Sequence, residues 1–197
     1  DIAFAGPVDL AAGAVTTTVT GGGNAGDGIT FASTLDDDVI GQTALTLVAG
    51  LGFVDAQGAI GGATRIGAFA VSNAAQVDLA NLAAASISVT ATNTDLNGTA
   101  YSAAAGGDIA FAGAVDLAAG AVTTTVTGGG GAGDGITFAS TLDDDVAGQT
   151  ALTLVAGLGF VDAQGAIGAT RIGAFAVSSA AQVDLANLAA ASISVTA

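Results

Sequence analysis

Asp108-Ile109-Ala110-Phe111-Ala112-Gly113 repeats Asp1-Ile2-Ala3-Phe4-Ala5-Gly6 after 107 positions, and from there the chain rewrites itself almost residue for residue. Four substitutions separate the copies: Pro7 becomes Ala114, Asn24 becomes Gly131, Ile40 becomes Ala147 and Asn73 becomes Ser179. One glycine of the Gly61-Gly62 pair is also dropped. The second copy stops at Ala197, the equivalent of Ala91, so the 16 residues Thr92–Gly107 occur once. The chain therefore reads as two units, 1–107 and an incomplete 108–197, and as a window of a longer tandem array.

Within the unit, short segments follow a two-residue period. Ile2-Ala3-Phe4, Ile29-Thr30-Phe31, Leu45-Thr46-Leu47, Val77-Asp78-Leu79 and Ile87-Ser88-Val89-Thr90 alternate apolar and small or polar residues. Val15, Thr17 and Val19 fall on one face of Val15–Thr20. Gly, Asn and Asp punctuate these runs, and the Ala stretches are too short and too mixed with Gly, Ser and Thr to nucleate helices. Phe4, Phe31, Phe53 and Leu79 head successive segments at a spacing suited to stacked coils, which bury their apolar side only against each other. The expected fold is all-β: a right-handed parallel β-helix of four to five coils per unit, rising roughly 19–24 Å at ~4.8 Å per strand. The alternative is a string of tandem immunoglobulin-like antiparallel sandwiches, one per unit. No Trp or Cys pair is present to anchor such a core.

Composition narrows function. There is no Cys, His, Lys, Glu, Trp or Met, and 17 Asp stand against Arg65 and Arg171, a net charge of −15. No basic patch exists to neutralise phosphates, so nucleic acid is excluded as a partner, and an anionic membrane surface is disfavoured. No apolar run is long enough to span a bilayer as a helix. Without His, Cys or Lys there is no ready base or nucleophile, and the same Asp cluster recurs in each copy, so an enzyme is not expected.

Three phrases carry a resemblance. Gly107-Asp108-Ile109-Ala110-Phe111-Ala112-Gly113-Ala114-Val115, Ala151-Leu152-Thr153-Leu154-Val155-Ala156-Gly157 and Leu96-Asn97-Gly98-Thr99-Ala100-Tyr101-Ser102 resemble phrases of large bacterial surface proteins related to filamentous haemagglutinins and autotransporter adhesins. The resemblance implies a secreted, very long, repetitive β-helical fibre at the cell surface, working in adhesion, matrix or cell–cell contact. Its expected partners are further copies of itself, stacked end to end and side by side. An adhesin module that binds Ca2+ or a cell-surface or matrix glycan is the alternative.

The sharpest local charge is Asp36-Asp37-Asp38, repeated as Asp143-Asp144-Asp145. Three carboxylates beside turn carbonyls are hard oxygen ligands suited to Ca2+, the one ion the chain invites; no cofactor is otherwise required. The competing expectation is a solvated turn whose charges discourage edge association. Gly21–Ile29 superficially matches a calcium-binding nonapeptide, but the spacing is wrong and not iterated, and the Lys and Ser/Thr of a phosphate loop are missing. For Arg65 and Arg171 the expected partner is an Asp on an adjacent coil or on a neighbouring subunit, an exposed pair contributing only ~0–1 kcal/mol.

Overall fold

β-branched and aromatic residues at alternate positions, interrupted every few residues by Gly or Asp, favour short strands with one apolar side. The computed structural model describes residues 1–11, 16–21, 23–118 and 123–197, with the backbone alone at 16, 17, 123 and 124. Val15 thus lies outside the described residues. The described residues form strands and no helix. The first copy contributes β1 (Ile2–Phe4), β2 (Val8–Leu10), β3 (Thr16–Thr20), β4 (Gly28–Phe31), β5 (Leu35–Asp37), β6 (Ala44–Val48), β7 (Phe53–Ala56), β8 (Phe69–Leu79), β9 (Leu82–Ala84), β10 (Ile87–Leu96) and β11 (Ala100–Ala103). The second contributes β12 (Ile109–Phe111), β13 (Ala114–Leu117), β14 (Thr123–Thr127), β15 (Gly135–Phe138), β16 (Leu142–Asp144), β17 (Ala151–Val155), β18 (Phe160–Ala163), β19 (Ile167–Ser179), β20 (Gln182–Leu185) and β21 (Leu188–Val195).

Every pairing among these strands is parallel, which overturns the antiparallel sandwich alternative and is compatible with a β-solenoid. The pairings sort into three ladders. Ladder I runs β1, β4, β7, the second half of β8, the second half of β10, β13, β16, then the starts of β19 and β21. Ladder II runs β2, β5, the bridge residue Ile60, β9, β11, β14, β17 and the later parts of β19 and β21. Ladder III runs β3, β6, the first halves of β8 and β10, β12, β15, β18 and β20. The long strands β8, β10, β19 and β21 pass from one ladder to the next.

The core lies where the inward columns of the ladders meet. Ile2, Ile29, Val54, Val77, Thr94 and Val115 stack in register along ladder I. Beside them run Phe4, Phe31, Ala56, Leu79, Leu96 and Leu117. Phe4 and Phe31 stack with centroids 4.9 Å apart and planes 4° apart, and small Ala56 follows the bulky pair. A small residue set after two bulky ones lets a narrow interior keep close packing. Phe53 does not join this column. It pairs with Gly28 and lies over it, where a Cβ would stand 2.2 Å from its ring, because Val54 takes the inward position of β7. Phe160 covers Gly135 in the same way.

The dropped glycine has a local effect. In the first copy Ile60 makes only isolated bridges to Leu35 and Leu82, and bends with one further bridge, Ile66 to Ala84, follow before β8. In the second, β19 runs unbroken from Ile167 to Ser179. The flanking registers survive: Leu45 pairs with Phe69, and Leu152 with Phe175.

Candidate functional site

Two residues of each aspartate triplet lie in a strand rather than in a solvated turn. Leu35, Asp36 and Asp37 form β5, so successive side chains leave on opposite faces. Leu35 and Asp37 point inward, and Asp37 is only 3% exposed. Its Oδ2 accepts hydrogen bonds from the backbone N–H of Gln42 (2.9 Å) and Thr43 (2.7 Å), closing the loop into β6. Asp36 faces outward, and its Oδ1 accepts from the N–H groups of Ala63 (2.9 Å) and Thr64 (3.1 Å) one coil on. Asp38 is exposed, its own N–H donating to the Leu10 carbonyl at 3.0 Å. The second copy repeats the plan: Asp144 Oδ2 accepts from Gln149 (2.9 Å) and Thr150 (2.8 Å), Asp143 Oδ1 from Thr170 (3.0 Å), and the Asp145 N–H donates to Leu117. The triplets are therefore not drawn together around one point. Among the described residues, no group of three His, Cys, Asp or Glu side chains is arranged to hold a metal ion.

A different set of carboxylates is assembled by the fold. Asp55, Asp78, Asp95, Asp116 and Asp143 are successive register partners on ladder I. Each is half-buried on the outer face, and neighbours are one strand spacing apart, ~4.8 Å. The array crosses the junction of the copies, with three members before it and two after. Asp162 and Asp184 begin a second such column on ladder III. Amides two residues along the same strand face hold these carboxylates: Gln57 to Asp55 (2.7 Å), Gln76 to Asp78 (3.0 Å), Asn93 to Asp95 (2.9 Å) and Gln164 to Asp162 (2.8 Å). At the centre, burial first, and then the hydrogen bond and charge of Asp78 and the charge of Asp116, push the Asp95 carboxyl up to about 6. The sequence signal for this array is the recurring triplet Val54-Asp55-Ala56, Val77-Asp78-Leu79, Thr94-Asp95-Leu96, Val115-Asp116-Leu117.

Other aspartates tie backbone to backbone. Asp1 Oδ1 accepts from Gly28 N–H and Asp108 Oδ1 from Gly135 N–H, each at 2.7 Å. Asn24 donates through its side-chain nitrogen to Asp27 Oδ2 at 2.9 Å and through its backbone, holding the Asp27 carboxyl below its usual range. In the second copy Gly131 keeps only the backbone donor, at 2.8 Å to Asp134, and Gly106 adds another at 3.0 Å. These short-range backbone contacts suit Asp, whose carboxylate sits one methylene from the chain. Arg65 does not find the expected carboxylate at Nε, which is buried with no hydrogen-bond partner, and the Arg171 guanidinium packs beside Gly148. Tyr101 is fully buried; its hydroxyl donates to the Leu79 carbonyl (2.7 Å) and accepts from Gly98 N–H (2.8 Å), and burial raises its pKa above the ordinary value. Chemically, these groups bind backbone and present outward negative charge. No known protein family, curated protein or solved structure matches this chain.

Proposed function

We propose that the chain is a structural segment of an extracellular fibre, as the resemblance to filamentous-haemagglutinin-like surface proteins implies, built as a right-handed parallel β-helix of four to five coils per 107-residue unit whose three ladders give each coil three sides. The observation that carries this reading is strand pairing through the junction of the copies. Ile87, Ser88 and Val89 pair with Ile109, Ala110 and Phe111; Asn93–Leu96 pair with Ala114–Leu117; Ala100–Ser102 pair with Thr125–Thr127. Two beads on a linker would leave that boundary unpaired. Here the copies share one hydrogen-bonded body, so bending at the junction costs as much as bending within a copy.

Unit-on-unit stacking is supported inside the chain: Ile87 and Val89 lie under the Ile109–Phe111 strand of the second copy and are 1% and 0% exposed. The net charge of −15 opposes close side-by-side packing over about 8 Å in physiological salt, so lateral bundling strengthens as salt is added.

Electron microscopy with layer-line analysis of assembled material tests the reading. Rods with a meridional spacing near ~4.8 Å are expected. Globular particles without that spacing, at any protein or salt concentration, refute the fibre.

A further inference from the structure

The two copies do not lie in phase on the three ladders. β1 is on ladder I, but its copy β12 is on ladder III, continuing from β10. β2 is on ladder II, and its copy β13 is on ladder I. β3 is on ladder III, and its copy β14 is on ladder II. All three strands shift in the same sense. The arithmetic is plain: from β1 the chain completes four three-sided coils and then adds the second half of β10 and β11 before β12 starts, so 4 × 3 + 2 = 14 strand positions separate the equivalents. Fourteen is not a multiple of three.

We propose, resting on the fibre reading above, that this mismatch is a display device: each unit is turned by one third of a revolution relative to the last, so a tandem array shows the same surface in three directions. Three units are needed to restore the phase, which is 14 coils or ~67 Å of axis, against ~22 Å for one unit. A group carried once per unit then winds around the fibre rather than lining one side. Leu51 and Leu158, equivalent leucines that are 68% and 69% exposed, are an example. Leu51 is on the corner between β6 of ladder III and β7 of ladder I; Leu158 is on the corner between β17 of ladder II and β18 of ladder III.

The chain has no cysteine, so paired nitroxide labels read the phase directly in the intact protein. One double variant carries Leu51→Cys and Leu158→Cys. The other carries Leu51→Cys and Ala139→Cys; Ala139 is exposed and follows β15 on the same corner as Leu51, four coils on. Electron–electron dipolar spectroscopy is expected to give the shorter distance for Leu51/Ala139, ~19 Å of pure rise. The equivalent pair Leu51/Leu158 combines ~22 Å of rise with ~17 Å across the five residues of a face, about 28 Å in all. The reverse order, with the two leucines closer, means copies in phase and overturns the rotation while leaving the fibre standing. Broad distances well beyond ~40 Å for both pairs mean separate bodies, and the fibre reading fails with it.

Discussion

Asp144 offers a quantitative test of what buried aspartates do here. Its side chain is 2% exposed, Oδ2 receives the N–H groups of Gln149 and Thr150, and Oδ1 is buried without a partner. Gln149 N–H also reaches the Val146 carbonyl at 3.0 Å, so it keeps an acceptor when the carboxylate goes. Thr150, with 0% exposure, does not have that second acceptor in the hydrogen-bond pattern of the loop. Asp144→Ala thus removes both charge-assisted bonds and strands one buried donor, a loss of about 2 kcal/mol after the second acceptor of Gln149 and relief of the orphaned Oδ1 are allowed for. In a chain of this size that lowers Tm by roughly 4–8 °C. Asp144→Asn keeps an amide oxygen for Thr150 and removes a buried charge that is only half satisfied, so its loss stays below about 1 kcal/mol. Thermal melts followed by circular dichroism, with hydrogen exchange at the Thr150 amide, measure both. Equal losses for Ala and Asn, or an unchanged Thr150 amide in the Ala variant, would refute the assignment of the stabilisation to that bond.

Three further outcomes follow from the geometry. Between its ordinary pKa of 3.8 and the raised value of about 6, Asp95 holds a proton when folded that the unfolded chain has lost. Stability should therefore fall as pH rises through 6, giving a higher Tm at pH 5 than at pH 7.5, and Asp95→Asn should remove most of that difference. Gly159→Ala places a Cβ 1.9 Å from the Asp134 carbonyl, whereas Gly135→Ala meets only the end of the Phe160 ring at 2.2 Å, which is free to swing outward. The first should cost about 1–3 kcal/mol in urea unfolding and the second clearly less. Phe111 is 1% exposed between Val89 and Phe138, so Phe111→Ala should cost about 3–5 kcal/mol by the same unfolding assay.

The period of two in Ile29-Thr30-Phe31 or Leu45-Thr46-Leu47 made the strands legible, because the inward positions stack on apolar partners in neighbouring strands, as Ile29 does on Ile2 and Val54 and Leu47 on Val19 and Val71. Parallel stacking was legible too, since segments that short bury a side only by stacking. The aspartate triplets misled. Three identical acids carry no alternation, so nothing in the letters says that Asp37 continues the inward face begun by Leu35 and finds backbone donors there. Phe53 misled for a related reason: aromatic size suggested core, yet Val54 fits the inward column and Gly28 leaves room outside. The ladder of Asp55, Asp78, Asp95, Asp116 and Asp143 escaped because its members are 23, 17, 21 and 27 residues apart, with corners of unequal length absorbing the differences. A column that is straight in space has no fixed period along the chain.

The missing glycine shows how much those corners forgive. From Ile60 to Phe69 the first copy spends nine residues, from Ile167 to Phe175 the second spends eight, and the anchors at both ends keep their partners. At the level of inheritance, small insertions and deletions at a corner are then close to silent. So are unequal crossovers between copies this similar, because any copy can follow any other at the same junction. Length becomes a character that a lineage can change by recombination alone, without inventing a new sequence.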